Sequence, residues 1–226
     1  MKKYIFYLIF LLIPVLNKAG SETTRPLNAA DNDLYTALHL SDYGLSREVF
    51  QLAIKGYNKL ESAGQLGNPA VLTIVDFSQS SKNKRMYVID FINHRLLFNT
   101  LVAHGRNTGE EFASEFSNKT GTLKSSLGFY ITENHIFGSK VGISLIIKGV
   151  EKGFNDNAIS RQIIIHGAPY VTEQFIKRTG RLGRSYGCPS LPPDMIKPVI
   201  QAIEKGTCLF IYHPDPNYIQ HSSLLN

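Results

Sequence analysis

Only two cysteines, Cys188 and Cys208, occur in the 226 residues, so one disulfide is the most the chain can form. No CxxC or HExxH pattern is present, and His39, His94, His135, His213 and His221 show no ligand spacing. A zinc site needs three or four convergent ligands, so no metal and no cofactor are expected. The run Asn155-Asp156-Asn157 lacks the glycine and distal glutamate of a calcium loop and reads as an Asx-turn ahead of Arg161. Low-complexity tracts and repeats of solenoid period are missing, and with 43% apolar residues disorder is excluded. The net charge of +6, which falls to +3 without residues 1–21, is a mild excess and argues against nucleic-acid binding, for which a dense basic face is usual.

The N-terminal apolar run, residues 4–16, is too short for a relaxed membrane span of about 20 residues but has the length of a signal-peptide core. Lys2 and Lys3 form its basic flank, and Ala19-Gly20-Ser21 supplies small residues for cleavage after Ser21. An uncleaved N-terminal anchor is the alternative; both readings export the chain. Cleavage removes Lys2, Lys3 and Lys18 and lowers the net charge from +6 to +3. What remains is long enough for one domain with a substantial core and no membrane span, expected to act as a monomer.

Residues 22–45 form a poorly specified leader. A helix follows: Ser46 is its N-cap, Glu48 favours the first turn, and Val49, Phe50, Ala53, Ile54, Tyr57 and Leu60 recur at helical spacing. Gly64, Gly67 and Pro69 end it. Beyond residue 70 the pattern changes to short β-branched and aromatic runs, at 71–77, 86–91, 95–103, 128–132, 143–148, 161–166 and 207–212. A short helix is placed between Pro198 and Lys205, with Gly206 as its stop. The fold class is mainly β with helical additions (α+β).

Chemistry concentrates in two places. Ile163-Ile164-Ile165-His166-Gly167 reads as a buried strand ending in a histidine, and Gly183-Arg184-Ser185-Tyr186-Gly187-Cys188-Pro189 sets a cysteine between glycine and proline. A thiol and an imidazole at the edges of rigid elements are what a cysteine nucleophile and its base require, and an imidazole or cation nearby lowers the thiol pKa. The alternative for Cys188 is a structural disulfide to Cys208. Against it, Cys208 alternates with Phe210 and Tyr212 as a buried strand residue would.

These segments, with Ser125-Ser126-Leu127-Gly128-Phe129-Tyr130, Ser185-Tyr186-Gly187-Cys188 and Gly206-Thr207-Cys208-Leu209-Phe210, stand in the order found in the murein L,D-transpeptidase catalytic domain, the YkuD-like family. The chain resembles that family over residues 71–212. It is closer still to a branch marked by segments like Phe116-Ser117-Asn118, Asn155-Asp156-Asn157-Ala158 and Gly187-Cys188-Pro189. Two departures stand out: Tyr186 replaces the second histidine of the common motif, and Pro189-Ser190 replaces an apolar residue followed by arginine or asparagine. His166 and Cys188 are 22 positions apart, somewhat more than is usual in the family.

The resemblance implies a β-sandwich or barrel catalytic fold over 71–215, after a signal peptide (1–21) and a leader with helix (22–70), and before a tail (216–226). It implies Cys188 as nucleophile, His166 as base and the Gly167 carbonyl as the group holding the imidazole tautomer. An oxyanion hole is implied around Tyr186, Gly187 and Cys188. Arg184 is the candidate for a substrate carboxylate among Lys177, Arg178, Arg181 and Arg184, for which a solvated basic loop is the alternative. Ser185 either supports the turn or meets substrate, and Tyr170 either stacks in the donor groove or packs. His104 is expected as a hydrogen-bonded surface histidine. The implied partners are peptidoglycan stem peptides, in the periplasm or cell envelope. The implied reaction is acyl transfer through a thioester, to an amine as an L,D-transpeptidase or to water as an L,D-carboxypeptidase. A cell-wall cysteine peptidase of papain type fits less well, because it places cysteine before histidine. A non-catalytic wall-binding domain remains the bland alternative.

Overall fold

The computed structural model describes residues 34–138 and 140–226; the expected signal peptide, its cleavage site and the start of the leader lie outside the described residues. No helix among the described residues is long and apolar enough to cross a membrane.

The helix α1 (Arg47–Ser62) forms where its sequence pattern places it, after a single helical turn at residues 34–37. Ser46 Oγ accepts the Val49 N–H at 3.2 Å, Glu48 sits in the first turn and Lys59 in the last, both favourable to the helix dipole. Its buried face is Val49, Phe50, Ala53, Ile54, Gly56, Tyr57 and Leu60, in one core with the strands that follow. At Gly56 the helix lies so close to the sheet that a Cβ would stand 2.0 Å from the Phe129 ring.

The strands are β1 (Val71–Asp76), β2 (Met86–Asp90), β3 (Arg95–Thr100), β4 (Gly128–Gly138), β5 (Gly142–Gly149), β6 (Ile164–Gly167), β7 (Ser190–Leu191) and β8 (Cys208–Tyr212). They form one eight-stranded sheet in the order β3-β2-β1-β8-β4-β5-β6-β7. The central pair, β1 and β8, is parallel and buried along its whole length, hence the unbroken apolar runs in its sequence. Past the end of β3, Ala103 and Ser190 exchange hydrogen bonds of 2.9 and 3.2 Å, which brings the sheet's two edges together and nearly closes a barrel. That closure puts β7 between β6 and the chain following β3.

Three further helices complete the architecture: α2 (Glu173–Thr179), α3 (Ile196–Ile203) and α4 (Pro216–His221). The helix α3 buries Ile196, Val199, Ile200 and Ile203 against the sheet and ends at Ile203, earlier than the sequence placed its stop; the turn that follows closes at Gly206, whose φ of 90° only glycine adopts readily. The expected tail contains α4, and this segment is anchored. Glu151, buried, accepts the Tyr218 hydroxyl at 2.8 Å, the Ser222 hydroxyl and the Phe129 N–H at 2.7 Å.

Two sequence expectations need correction. Residues 161–163 are not strand: Gln162 has a φ of 57°, so the chain turns there and β6 starts at Ile164. The basic stretch after Tyr170 is not simply a loop, because Thr172 caps α2 through its hydroxyl and Gly180 ends it in the left-handed region. None of the residues of α2 is buried, so it carries no apolar period for a sequence pattern to reveal.

Candidate active site

His166 is the penultimate residue of β6, between β5 and β7, with Ser144 beside it on one strand and Ser190 on the other. Its Nδ1 lies 3.0 Å from the Gly167 carbonyl, an oxygen that can only accept. Nδ1 therefore carries the proton, and in the neutral ring Nε2 keeps its lone pair. That lone pair faces the Ser190 hydroxyl at 3.1 Å, and Ser190 Oγ lies 3.2 Å from the Tyr170 hydroxyl. Ser190 is a neighbour that sequence reasoning noted only as a departure from a motif. The strand pairing that brings it to the imidazole had no sequence signal.

Cys188 is two residues before Ser190, so the parallel pairing of β6 with β7 delivers the thiol to the His166 end of the sheet. The turn before it is tied down from inside. Ser185 Oγ donates to the Cys188 carbonyl at 2.6 Å and accepts the Gly187 N–H at 3.1 Å. Of the two roles weighed for Ser185, these bonds are those of turn support. Ser125 Oγ donates to the Gly187 carbonyl at 3.0 Å. Gly187 has a φ of 126°, and a Cβ there would lie 2.9 Å from the Lys124 carbonyl, so both the conformation and the space call for glycine. Among the described residues, the N–H groups of Tyr186 and Cys188 have no protein acceptor, whereas that of Gly187 is taken by Ser185.

The thiol is half-buried and points to the Gln162 carbonyl, 3.8 Å away. Burial pushes its pKa up, and the Ile164 N–H and the Arg161 charge only partly oppose this. The expectation of a depressed thiol is corrected: desolvation outweighs its neighbours, and the resting group is S–H, donating to Gln162. Cys208 is free and wholly buried in β8, with its thiol pushed far up by burial, and it forms no disulfide with Cys188.

Around the turn, Arg184 donates to the Arg106 and Gly109 carbonyls, each at 2.9 Å, and pairs with Glu110 at 2.7 Å. Arg181 pairs with the other oxygen of Glu110 at 2.9 Å. The charge of Arg184 is thus matched by Glu110. Tyr186 is 69% exposed, with the Arg106 guanidinium 5.9 Å from its ring centre. Tyr170 packs against Gly183, where a Cβ would lie 2.4 Å from the tyrosine.

His104 is not the surface histidine expected from sequence. It is 1% exposed, its Nδ1 receives Arg85 Nη2 at 2.8 Å, and its Nε2 faces the Gly109 carbonyl at 3.3 Å. Burial, with Arg85 beside it, pulls its pKa down to about 3. The ring lies behind the site: the His104 carbonyl accepts the Ser185 N–H at 3.0 Å. Its lone pair is used by Arg85, so it has none to offer a thiol. No group of three or more potential metal ligands is found among the described residues.

No curated protein matches the chain. Among solved structures, an L,D-transpeptidase from Mycobacterium smegmatis aligns at a TM-score of 0.40 and 12% identity, over 64% of this chain and 59% of that one. L,D-transpeptidase 3 from Mycobacterium tuberculosis aligns at 0.40 and 16%, over 64% and 61%. An Enterococcus faecium L,D-transpeptidase aligns at 0.39 and 16%, over 63% and 50%. The chain thus spans at most about three-fifths of the length of these structures. The family model described as the L,D-transpeptidase catalytic domain matches residues 41–212, taking in α1, the sheet, the histidine strand and the cysteine turn. With most of its length matched and both ends of the thiol–imidazole site inside the match, the chain belongs to the L,D-transpeptidase catalytic domain family.

Proposed function

We propose that the protein is an exported enzyme that transfers peptidoglycan stem-peptide acyl groups through a thioester on Cys188. The observation that carries this reading is the parallel pairing of β6 with β7. It sets the thiol segment beside an imidazole whose Nδ1–H is committed to Gly167, so that in the neutral ring Nε2 is the acceptor. Export to the periplasm or cell envelope rests on the basic flank and apolar run of residues 1–21.

In the proposed sequence, His166 Nε2 takes the proton of the Cys188 thiol as the sulfur attacks the carbonyl after the third stem residue. The N–H groups of Tyr186 and Cys188 meet the developing oxyanion, donors typically worth about 3–4 kcal/mol each. Gly187 contributes the backbone conformation that aims them. The C–N bond breaks, the leaving D-alanine takes the proton from the imidazolium, and the thioester remains. An amine of a neighbouring stem then attacks, Nε2 receives its proton, and the thiol is restored with a new cross-link formed. Water in place of the amine gives the carboxypeptidase outcome. Because the resting thiol is neutral, proton transfer accompanies attack instead of preceding it.

The test is muropeptide analysis of purified sacculi incubated with the mature protein and with its Cys188→Ala variant. New cross-links between third-position residues support transfer to an amine, and loss of terminal D-alanine alone supports water as acceptor. Sacculi unchanged by the wild-type protein under conditions where a thiol probe labels Cys188 would remove the enzymatic reading and favour a wall-binding domain.

A further inference from the structure

The cation held against the backbone just before Cys188 is not one of the rim arginines. Arg161 leaves the turn before β6 and passes beneath the cysteine turn. Its Nη1 donates to the Ser117 carbonyl at 2.6 Å and to the Ser126 hydroxyl, and its Nη2 donates to the Lys124 carbonyl at 2.6 Å. All three acceptors are neutral. Among the described residues no carboxylate lies within ion-pair distance of it, whereas Arg181 and Arg184 share Glu110 and the Lys124 ammonium is paired with Glu115. The guanidinium is half-buried, a setting in which a charge is usually matched by an acid.

Two features connect this charge to the site. A Cβ at Gly187 would be 3.5 Å from Nη2, so the guanidinium lies directly against the backbone just before Cys188. The Lys124 carbonyl that Nη2 holds is the atom that confines Gly187, and the adjacent Ser125 hydroxyl is bonded to the Gly187 carbonyl. Residues 117–126 are therefore pinned by Arg161 on one side and hold the oxyanion turn on the other.

We infer that Arg161 is a positioning residue of the cysteine site, acting in two ways. Its fork clamps residues 117–126 against Gly187, and its unmatched charge faces the sulfur and favours the thiolate. The inference rests on the reading of Cys188 as nucleophile. The groups that act on the sulfur are the Gln162 carbonyl, which accepts the thiol, the Ile164 N–H and Arg161, which favour the anion, and the Tyr170 phenol. Arg161 is the permanent cation in that set.

The experiment is the pH dependence of Cys188 alkylation by iodoacetamide in the mature protein, followed by intact mass and mapped by digestion, for wild type, Arg161→Met and Arg161→Lys. Circular dichroism establishes which variants are folded. In folded Arg161→Met the alkylation midpoint moves up by about one pH unit, a tenfold slower reaction at neutral pH. Arg161→Lys keeps the charge and loses the fork, so its midpoint stays near wild type while amide exchange at residues 117–126 accelerates. A folded Arg161→Met with the wild-type midpoint overturns the electrostatic role. If the methionine variant does not fold, Arg161→Lys decides: wild-type exchange at 117–126 overturns the clamp, and a midpoint raised by a full pH unit despite the retained charge overturns the charge effect. None of these readouts requires acyl transfer, so failure of the sacculus experiment leaves this result standing and failure here leaves that one standing.

Discussion

The Ser190 hydroxyl stands 3.1 Å from His166 Nε2, the atom proposed to receive the thiol proton, and 3.2 Å from the Tyr170 hydroxyl. Ser190 occupies a place where the common family motif carries arginine or asparagine. In this chain that place is filled by a small donor able to hold the ring in its plane, and Tyr170 supplies a donor behind it.

Replacing Ser190 by Ala removes one neutral hydrogen bond, worth about 1 kcal/mol net, so kcat is expected to fall about fivefold with KM little changed. Replacing His166 by Gln removes the proposed base and is expected to lower kcat by about 10²–10⁴-fold. Steady-state kinetics on a stem tetrapeptide separates the two. A Ser190→Ala loss as large as that of His166→Gln shows that Ser190 itself handles the proton.

Family resemblance extends the chemistry to carbapenems, whose strained ring offers a reactive carbonyl. Intact mass of the mature protein is expected to show one adduct, mapped to Cys188 and absent from Cys188→Ala. Cys208→Ala is expected to react like wild type, because Cys208 is wholly buried in β8 with its thiol pushed far up by burial. An adduct on Cys208 removes Cys188 as the nucleophile.

His104 gives the fold a defined acid sensitivity. Its ring is held neutral to a pH of about 3, whereas in the unfolded chain it takes up a proton near its ordinary value of 6.5. The unfolded state therefore binds the extra proton between these values. The contribution is full above 6.5 and falls as the pH drops toward 3, by about 1.4 kcal/mol per unit. Urea unfolding at pH 7, 6 and 5 is expected to show this slope and to lose about one proton's share of it in His104→Asn, where the amide oxygen replaces Nδ1 as the acceptor for Arg85. Equal slopes in both proteins contradict the assignment.

Gly56→Ala is expected to destabilise the protein by at least the about 1–3 kcal/mol typical of overpacking, because the new methyl would stand 2.0 Å from the Phe129 ring. Alanine is otherwise the better helix former by about 1 kcal/mol. A midpoint of thermal unfolding raised in Gly56→Ala shows that α1 has room to move off the sheet.

Much of this molecule is local and therefore legible. Ser46 with the apolar spacing of Val49 to Leu60 specifies α1, and unbroken apolar runs specify β1 and β8, because capping and periodic burial depend on residues a few positions apart. Cys188 and His166 stood out for the same reason, each lying in a short segment of distinctive composition. The solvent-facing α2, the outer half of β4 and β7 did not, since the first two bury no apolar face and β7 is only two residues long.

The sequence by itself determined the element types, the mainly β class and the two chemical groups, because those follow from side-chain pattern. Tertiary structure alone decided which groups meet. Pairing of β6 with β7, and of Ala103 with Ser190, put Ser190 on the imidazole, buried His104 behind the turn on Arg85, and drew Arg161 under Cys188. Those contacts join residues far apart in the chain, and their energies come from desolvation and charge, which exist only once the surrounding core has closed.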